Sequence, residues 1–221
     1  MIRSGPVRIN HCGESAVLVD FDTLAAVAAY RALLERWPIS GVREIVSGAL
    51  TLLIRFYPSM ISESQLFAAL MEPRGDGANT FSSKANQTAT SALPALVTIP
   101  VWYDGADLEQ VGALTGLGVA GVIREHTAQI WTSAFCGFSP GFSYLVGGSP
   151  TLAVPRRSTS RTAVPAGAVA LAGEFSAVYP RRSPGGWQLI GRTDAVMWSL
   201  DRSIPALAPA GTRIQFIAIQ N

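Results

Sequence analysis

Short runs of alternating apolar and polar residues fill the first third of the chain. Val7–Asn10 and Ala16–Phe21 have the period of two that marks a half-covered strand, and Cys12-Gly13-Glu14-Ser15 between them is a turn signal. The period then changes. Leu24, Val27, Ala28, Leu33 and Leu34 fall on one face of a helix predicted over Thr23–Trp37, which Pro38 stops. Val42–Val46 and Leu50–Tyr57 form a second strand pair around Ser47-Gly48. Ser62 is placed to N-cap a second helix over Ser62–Met71. The order ββαββα puts two helices on one face of a small antiparallel sheet, a stable layering.

From Glu72 to Pro94 the chain is Gly-, Ser-, Thr-, Asn- and Ala-rich, with almost no large apolar side chains to bury. It reads as a linker. The predicted organisation is an α+β chain: a ββαββα domain over 1–72, a linker over 73–94, and a second domain over 95–221. In the second domain Leu96–Trp102 alternates. Asp107–Thr115 and Val119–Ala128 are short helical segments. Then come brief apolar runs between Gly and Pro turns: Ile130–Phe135, Ala168–Ala172, Ala177–Tyr179, Gln188–Gly191 and Arg213–Ile219. Short strands in this rhythm predict a closed or nearly closed β-barrel.

Apolar residues make up 48% of the 221 positions and charged residues 14%. The first value excludes intrinsic disorder. No run approaches the roughly 18 apolar residues of a membrane span. The first 13 residues contain no apolar core of a secretory signal. The net charge of +2 gives no field for a polyanion, so neither nucleic acid nor membrane is an expected partner. Few charges do suit a surface partly covered by another protein, because interface cores are depleted in Lys, Glu and Asp. The two cysteines, Cys12 and Cys136, read as reduced thiols in a cytoplasmic chain.

Candidate chemistry concentrates between Phe135 and Thr193. From Arg156 to Arg192 there are six arginines (156, 157, 161, 181, 182 and 192) against one acid, Glu174, among many glycines. Glycines let a backbone approach a ligand, and guanidinium forks bind carboxylate or phosphate. A site for an anionic small molecule is one reading; turn glycines and a solvated basic face are the other. There is no GxxxxGK[ST] loop, and Lys84 lies in the linker. Gly137-Phe138-Ser139-Pro140-Gly141 has the wrong spacing for a nucleophile elbow, and proline after the serine disrupts that turn. A Cys136–His126 thiol–base pair is weighed against a small buried thiol near a barrel strand, and the thiol is favoured. Two histidines and two cysteines at scattered spacing form no zinc pattern. His126 is a candidate proton-transfer group, or a histidine packed at a helix end. Ser183-Pro184-Gly185-Gly186-Trp187 reads as a tight turn whose indole either walls a pocket or fills the barrel.

Several strings then become recognisable. Gly137-Phe-Ser-Pro-Gly-Phe-Ser-Tyr-Leu145, Pro155-Arg156, Arg161, Val164-Pro-Ala-Gly167, Tyr179-Pro180 and Ser183-Pro-Gly-Gly-Trp-Gln-Leu-Ile-Gly-Arg-Thr193 resemble one family closely. It is the family of allophanate hydrolase subunit 1, the B subunit of prokaryotic 5-oxoprolinase, and the inhibitor of a sporulation histidine kinase. Asp107-Leu108 and Glu125–Ala128 match its lead-in, and Gly13–Val19 its start. The resemblance implies a cyclophilin-like barrel behind the ββαββα domain. It also implies a homologous second carboxyltransferase-type subunit with which a composite site is formed, and in 5-oxoprolinase a further lactam-utilisation-type subunit. The implied reaction is ATP-dependent opening of 5-oxoproline to glutamate, or related allophanate and urea chemistry, on a small anionic or amide substrate. Docking on a sensor histidine kinase is the alternative.

On this resemblance His126 and Arg161 are the candidate catalytic residues. Arg156, Arg192, Tyr179 and Trp187 are the candidate substrate-binding residues, and no metal is expected. ATP is the implied cofactor, with a partner subunit as its possible binding site. The chain departs from the family at Ser160, in place of proline before Arg161. It departs again at Phe175, in place of a polar amide, at Ser143, in place of proline, and at Cys136, in place of an aliphatic residue.

Overall fold

The computed structural model describes residues 6–72 and 96–220. They form two compact units, divided at residues 92/93. The expected linker over 73–94, Lys84 included, lies outside the described residues.

In the first unit, β1 (Arg8–His11), β2 (Ala16–Asp20), β3 (Val42–Ser47) and β4 (Thr51–Phe56) form an antiparallel sheet in the order β1-β2-β4-β3. Helices α1 (Leu24–Arg36) and α2 (Glu63–Met71) complete it. Thr23 accepts the Ala26 N–H as N-cap, and Ser62 forms a full capping box with Gln65. Val17, Val19, Leu52, Ile54 and Phe56, every second residue of the central strands, pack with Val27, Leu34, Leu66 and Leu70. The buried stripe of α1 is Ala26, Val27, Tyr30 and Leu34, whereas Ala28 is exposed and Leu24 and Leu33 are half-buried. The predicted face is thus rotated by part of a turn. Tyr30 turns it inward, because its ring packs on Phe21 and its hydroxyl donates to the Leu70 carbonyl.

The second unit is a mixed α/β fold built on a nearly closed, barrel-like sheet. Its strands are β5 (Leu96–Val101), β6 (Trp131–Cys136), β7 (Ser143–Val146), β9 (Ala168–Ala172), β10 (Phe175–Val178), β12 (Gln188–Arg192) and β13 (Arg213–Ala218), ordered β12-β9-β10-β7-β6-β13-β5. Only β13 and β5 pair in parallel among these strands. All seven contribute to one core that includes Val101, Trp131, Leu145, Leu171, Val178, Ile190 and Phe216. Helices α3 (Leu108–Thr115) and α4 (Gly118–Ala128) close that core with Leu108, Val111 and Val122. β8 (Arg161–Val164) and β11 (Ser183–Gly185) form a separate two-stranded ribbon. Ser183–Gly185 is therefore an edge strand with a register shift at Pro184, rather than part of a tight turn.

The two edges of the large sheet meet beyond β5. Trp102 and Arg192 exchange both backbone hydrogen bonds at 2.9 Å, the Gly105 N–H reaches the Ile190 carbonyl at 3.3 Å, and the Asp107 N–H reaches the Leu189 carbonyl at 2.9 Å. This seam needs glycine. A Cβ on Gly105 would collide with backbone atoms of Leu189, Ile190 and Gly191, and one on Gly191 with the Trp102 carbonyl.

His126 lies inside the barrel core, fully buried. Its Nδ1 is 2.7 Å from the Tyr103 hydroxyl and its Nε2 is 2.8 Å from the Ser176 hydroxyl. The ring stacks on Phe216 at 4.3 Å, and its carbonyl accepts the Trp131 indole N–H. Burial pushes its pKa down to about 3. The role of proton shuttle does not suit this group: both ring nitrogens are engaged and the imidazole stays neutral across the physiological range.

Two outcomes follow from these contacts. Gly105→Ala should destabilise the second unit by about 2 kcal/mol or more, as overpacking against fixed backbone does. Gly148→Ala, where an added Cβ meets nothing, should change denaturant stability by less than about 0.5 kcal/mol. The buried His126 also sets a pH dependence. Its folded pKa is depressed, so the unfolded chain takes up the proton first, below the ordinary histidine value of 6.5. The stabilisation is fully present above that pH and drains away as pH falls toward 3, at up to about 1.4 kcal/mol per pH unit. Urea unfolding at pH 7 and pH 5 should show this loss in the native chain and a flatter profile in His126→Gln. Parallel profiles would refute the assignment.

Candidate functional site

Asp107 occupies the N-cap position of α3, yet its carboxylate caps no helical N–H. It is nearly fully buried and turns to the seam. Oδ2 accepts the Leu189 N–H at 2.7 Å, while Oδ1 accepts Arg157 Nη1 at 2.6 Å and Arg161 Nη2 at 2.8 Å. Burial alone would raise its pKa. The Arg161 hydrogen bond, the Leu189 N–H and the charges of Arg161 and Arg157 outweigh burial and hold the carboxyl below its ordinary value. Two guanidiniums thus share one carboxylate, leaving a surplus positive charge. Arg161 Nη1 and Arg157 Nε are buried and have no hydrogen-bond partner. Gln188 Oε1 is likewise unpartnered, although its amide nitrogen donates to the Pro155 carbonyl. Donors in this state are expensive to leave unmatched and favour an anionic or carbonyl oxygen.

The ribbon that carries Arg161 covers an aromatic floor. Ala168, Ala170, Ala172 and Ala177 keep the strand surface low, and Phe142, Tyr179 and Trp187 pack onto it with Tyr144 and Phe175 at the margin. Phe142 meets Tyr144, Tyr179 and Trp187 edge-on at 5.1–5.5 Å. Burial raises the pKa of both Tyr144 and Tyr179, and the positive charge of Arg156 opposes that rise at each. Arg161 and the Trp187 backbone N–H oppose it further at Tyr179. Arg156, Arg161, Tyr144 and Tyr179 are therefore electrostatic neighbours.

The structure sets Arg156 and Arg161 where the charge of each reaches Tyr179. It sets Arg192 at the seam instead, 2.8 Å from Asp104 and over the Trp102 ring at 4.5 Å. Tyr179 and Trp187 are 1% and 4% exposed, so they fill the floor and do not wall an open pocket. Phe175 joins that floor, edge-on to Phe135 and Tyr144. Cys136 is exposed, which corrects the reading of a buried thiol, and its contacts are Ser143 and the Ala208 carbonyl, not His126. Sequence reasoning counted Arg157 among the arginines of a candidate anion site without singling it out, and missed Asp107 as their partner. The signal was an acid opening a helix in a unit where arginines outnumber acids, since a buried arginine needs a counter-charge. Among the described residues, no group of three or more His, Cys, Asp or Glu side chains is placed to hold a metal ion.

The sequence pattern of one family, described as carboxyltransferase domain, subdomain C and D, matches residues 7–208. The B subunit of 5-oxoprolinase from Bacillus subtilis (strain 168) is 32% identical, with the match covering 96% of this chain and 92% of that protein. The crystal structure of TTHA0988 superposes with a TM-score of 0.72 at 29% identity, covering 94% of this chain but 40% of that one. Urea amidolyase of K. lactis shares the fold, with a TM-score of 0.72 at 18% identity over 98% of this chain and 15% of that one. The family match over residues 7–208, with a relative 32% identical across nearly the whole chain, places this chain in the carboxyltransferase domain family, subdomain C and D.

Proposed function

We propose that the chain is the B-type subunit of an ATP-dependent, 5-oxoprolinase-like complex and supplies half of a composite site that opens a cyclic amide. In this reading the second unit is a cyclophilin-like barrel and the first a ββαββα module. The observation that carries the proposal is the Asp107-held arginine pair, with its surplus charge and unmatched donors. The near-full-length likeness to a protein named as such a subunit supports it. Attack on an amide carbonyl builds negative charge on oxygen, and preorganised guanidinium donors stabilise that charge. Arg161, fixed by Asp107, meets the reacting or carboxylate oxygen, and the exposed Arg156 draws the anionic substrate in. Arg192 borders the site from the seam. Tyr179 and Trp187 act beneath it as a rigid floor, and His126 as a neutral interior prop.

The unmatched donors of Arg161 and Arg157 fit the oxygens of a phosphate as well as those of a carboxylate. The chain has no GxxxxGK[ST] loop, so we assign the nucleotide to a partner subunit. Bound there, ATP would supply the activation of the amide oxygen, while this chain's arginines orient the substrate.

In the assembled complex, Arg161→Ala should lower kcat/KM about tenfold or more, equivalent to about 1.4 kcal/mol of transition-state stabilisation. Arg161→Lys should recover little of it, because the planar fork serves Asp107 and the substrate together. Arg156→Ala should raise KM and leave the melting temperature in place. Steady-state assays of 5-oxoproline opening check all three, and native kinetics in Arg161→Ala would retire the assignment.

A further inference from the structure

Beyond β12 the chain makes a hairpin-like excursion that buries Met197 but turns Val196, Trp198, Leu200 and Ile204 outward. Its arms are tied by Ser199 N–H to the Pro205 carbonyl at 3.0 Å, by Leu207 N–H to the Met197 carbonyl at 2.9 Å, and by a bridge between Trp198 and Ala206. Arg202 folds back to donate to the Val196 carbonyl at 2.8 Å. The base is pinned where the hydroxyls of Ser133 and Ser143 both donate to the Ala208 carbonyl, at 3.0 and 2.6 Å. On this braced backbone Leu200 is 81% exposed and Ile204 60%, with Trp198 and Val196 beside them. Phe138 joins the rim. It is 58% exposed and held at φ 65, a left-handed conformation that strains a non-glycine residue. Gly141 in the same turn backs onto Trp198 and Met197.

A rigid cluster of large apolar side chains, two of them aromatic, has the composition of an interface hot spot. Two observations say what covers it. The first is continuity with the site. The Phe138 ring lies edge-on to Phe142 at 5.2 Å and to Tyr179 at 6.3 Å, so the rim runs into the floor beside Arg156 and Arg161. The second is charge. The floor side carries surplus positive charge and unmatched donors, whereas the excursion carries only Asp194, Asp201 and the self-engaged Arg202. A folded protein that seats an apolar socket on the nearly uncharged excursion, and leaves the positive floor side to the anionic substrate, satisfies both sides. In TTHA0988 the matched region is 40% of one chain, so a body of this kind is joined there to further polypeptide.

We infer that the rim of Phe138, Trp198, Leu200 and Ile204 is the docking face for a second protein subunit, which presents an apolar socket to the rim and leaves Arg156 and Arg161 to the substrate. The inference rests on the composite-site reading above. The full-length tagged chain and its Leu200→Glu/Ile204→Glu variant are purified from the native host. The co-purifying subunit is identified by mass, and the complex is mapped by hydrogen exchange. A carboxyltransferase-type partner is expected, with protection over 137–142 and 196–207. The double variant should bind it about tenfold or more weakly while keeping its melting temperature. The same partner with protection elsewhere, or retained by the variant, overturns the docking face and leaves the amide-opening reading intact. Association with nothing but a second copy of the chain overturns both. Binding of the isolated chain to phosphatidylcholine–phosphatidylglycerol vesicles, lost in the double variant, overturns the inference in favour of a membrane surface.

Discussion

The buried carboxylate of Asp107 is the contact on which the second unit turns. Removing a carboxylate from water is costly, and the cost is offset here by two guanidiniums and a backbone N–H aimed at its two oxygens. The same residue uses its own N–H on the Leu189 carbonyl, so main chain and side chain together extend the ladder across the barrel seam. One residue therefore begins α3, joins the two sheet edges and fixes two arginines from the segment that leads into the ribbon. The costly deletion is of both arginines, which would leave the buried carboxylate unpaired; the two guanidiniums are themselves partly exposed. The seam tolerates this density only because Gly105 and Gly191 let backbones approach without a Cβ between them.

That arrangement explains which parts of the chain were legible. Strands with a clear period of two, such as Thr51–Phe56 and Leu96–Val101, and helices with a stripe and a cap, such as Glu63–Met71, stand out because their pattern is local. Arg161–Val164 and Ser183–Gly185 do not. They are short, one contains Pro and Gly, and each becomes a strand because the other supplies its partner atoms. The aromatic floor was visible as a motif string but not as a floor, since alanines on β9 and β10 create the space beneath it.

The same division holds for the candidate site. The excess of arginine could be counted, but the acid that organises it lies 50 and 54 positions away from its two partners. His126 had the chemistry of an acid–base group and lacks the setting for it. Tyr103, from the loop after β5, and Ser176, from β10, hold its two nitrogens, so no spacing rule links the three. A side chain's chemistry is written in its identity, whereas its availability is written in its burial, and only the fold decides the latter.

Two of the departures from the family pattern gain a physical sense in this setting. A proline at position 143 could not supply the hydroxyl that donates to the Ala208 carbonyl, and an aliphatic residue at 136 could not place a thiol 3.6 Å from the same oxygen. Both changes act where the excursion over Met197–Leu207 leaves the barrel. Phe175 adds a ring to the floor where an amide would have offered hydrogen bonds, so the margin nearest Tyr144 is apolar. In the proposed composite site, polar recognition then falls to the guanidiniums above the floor, beside a hydrogen-bonded loop with an apolar outer face. The proposed division of charge on one side and apolar surface on the other suits completion by another surface.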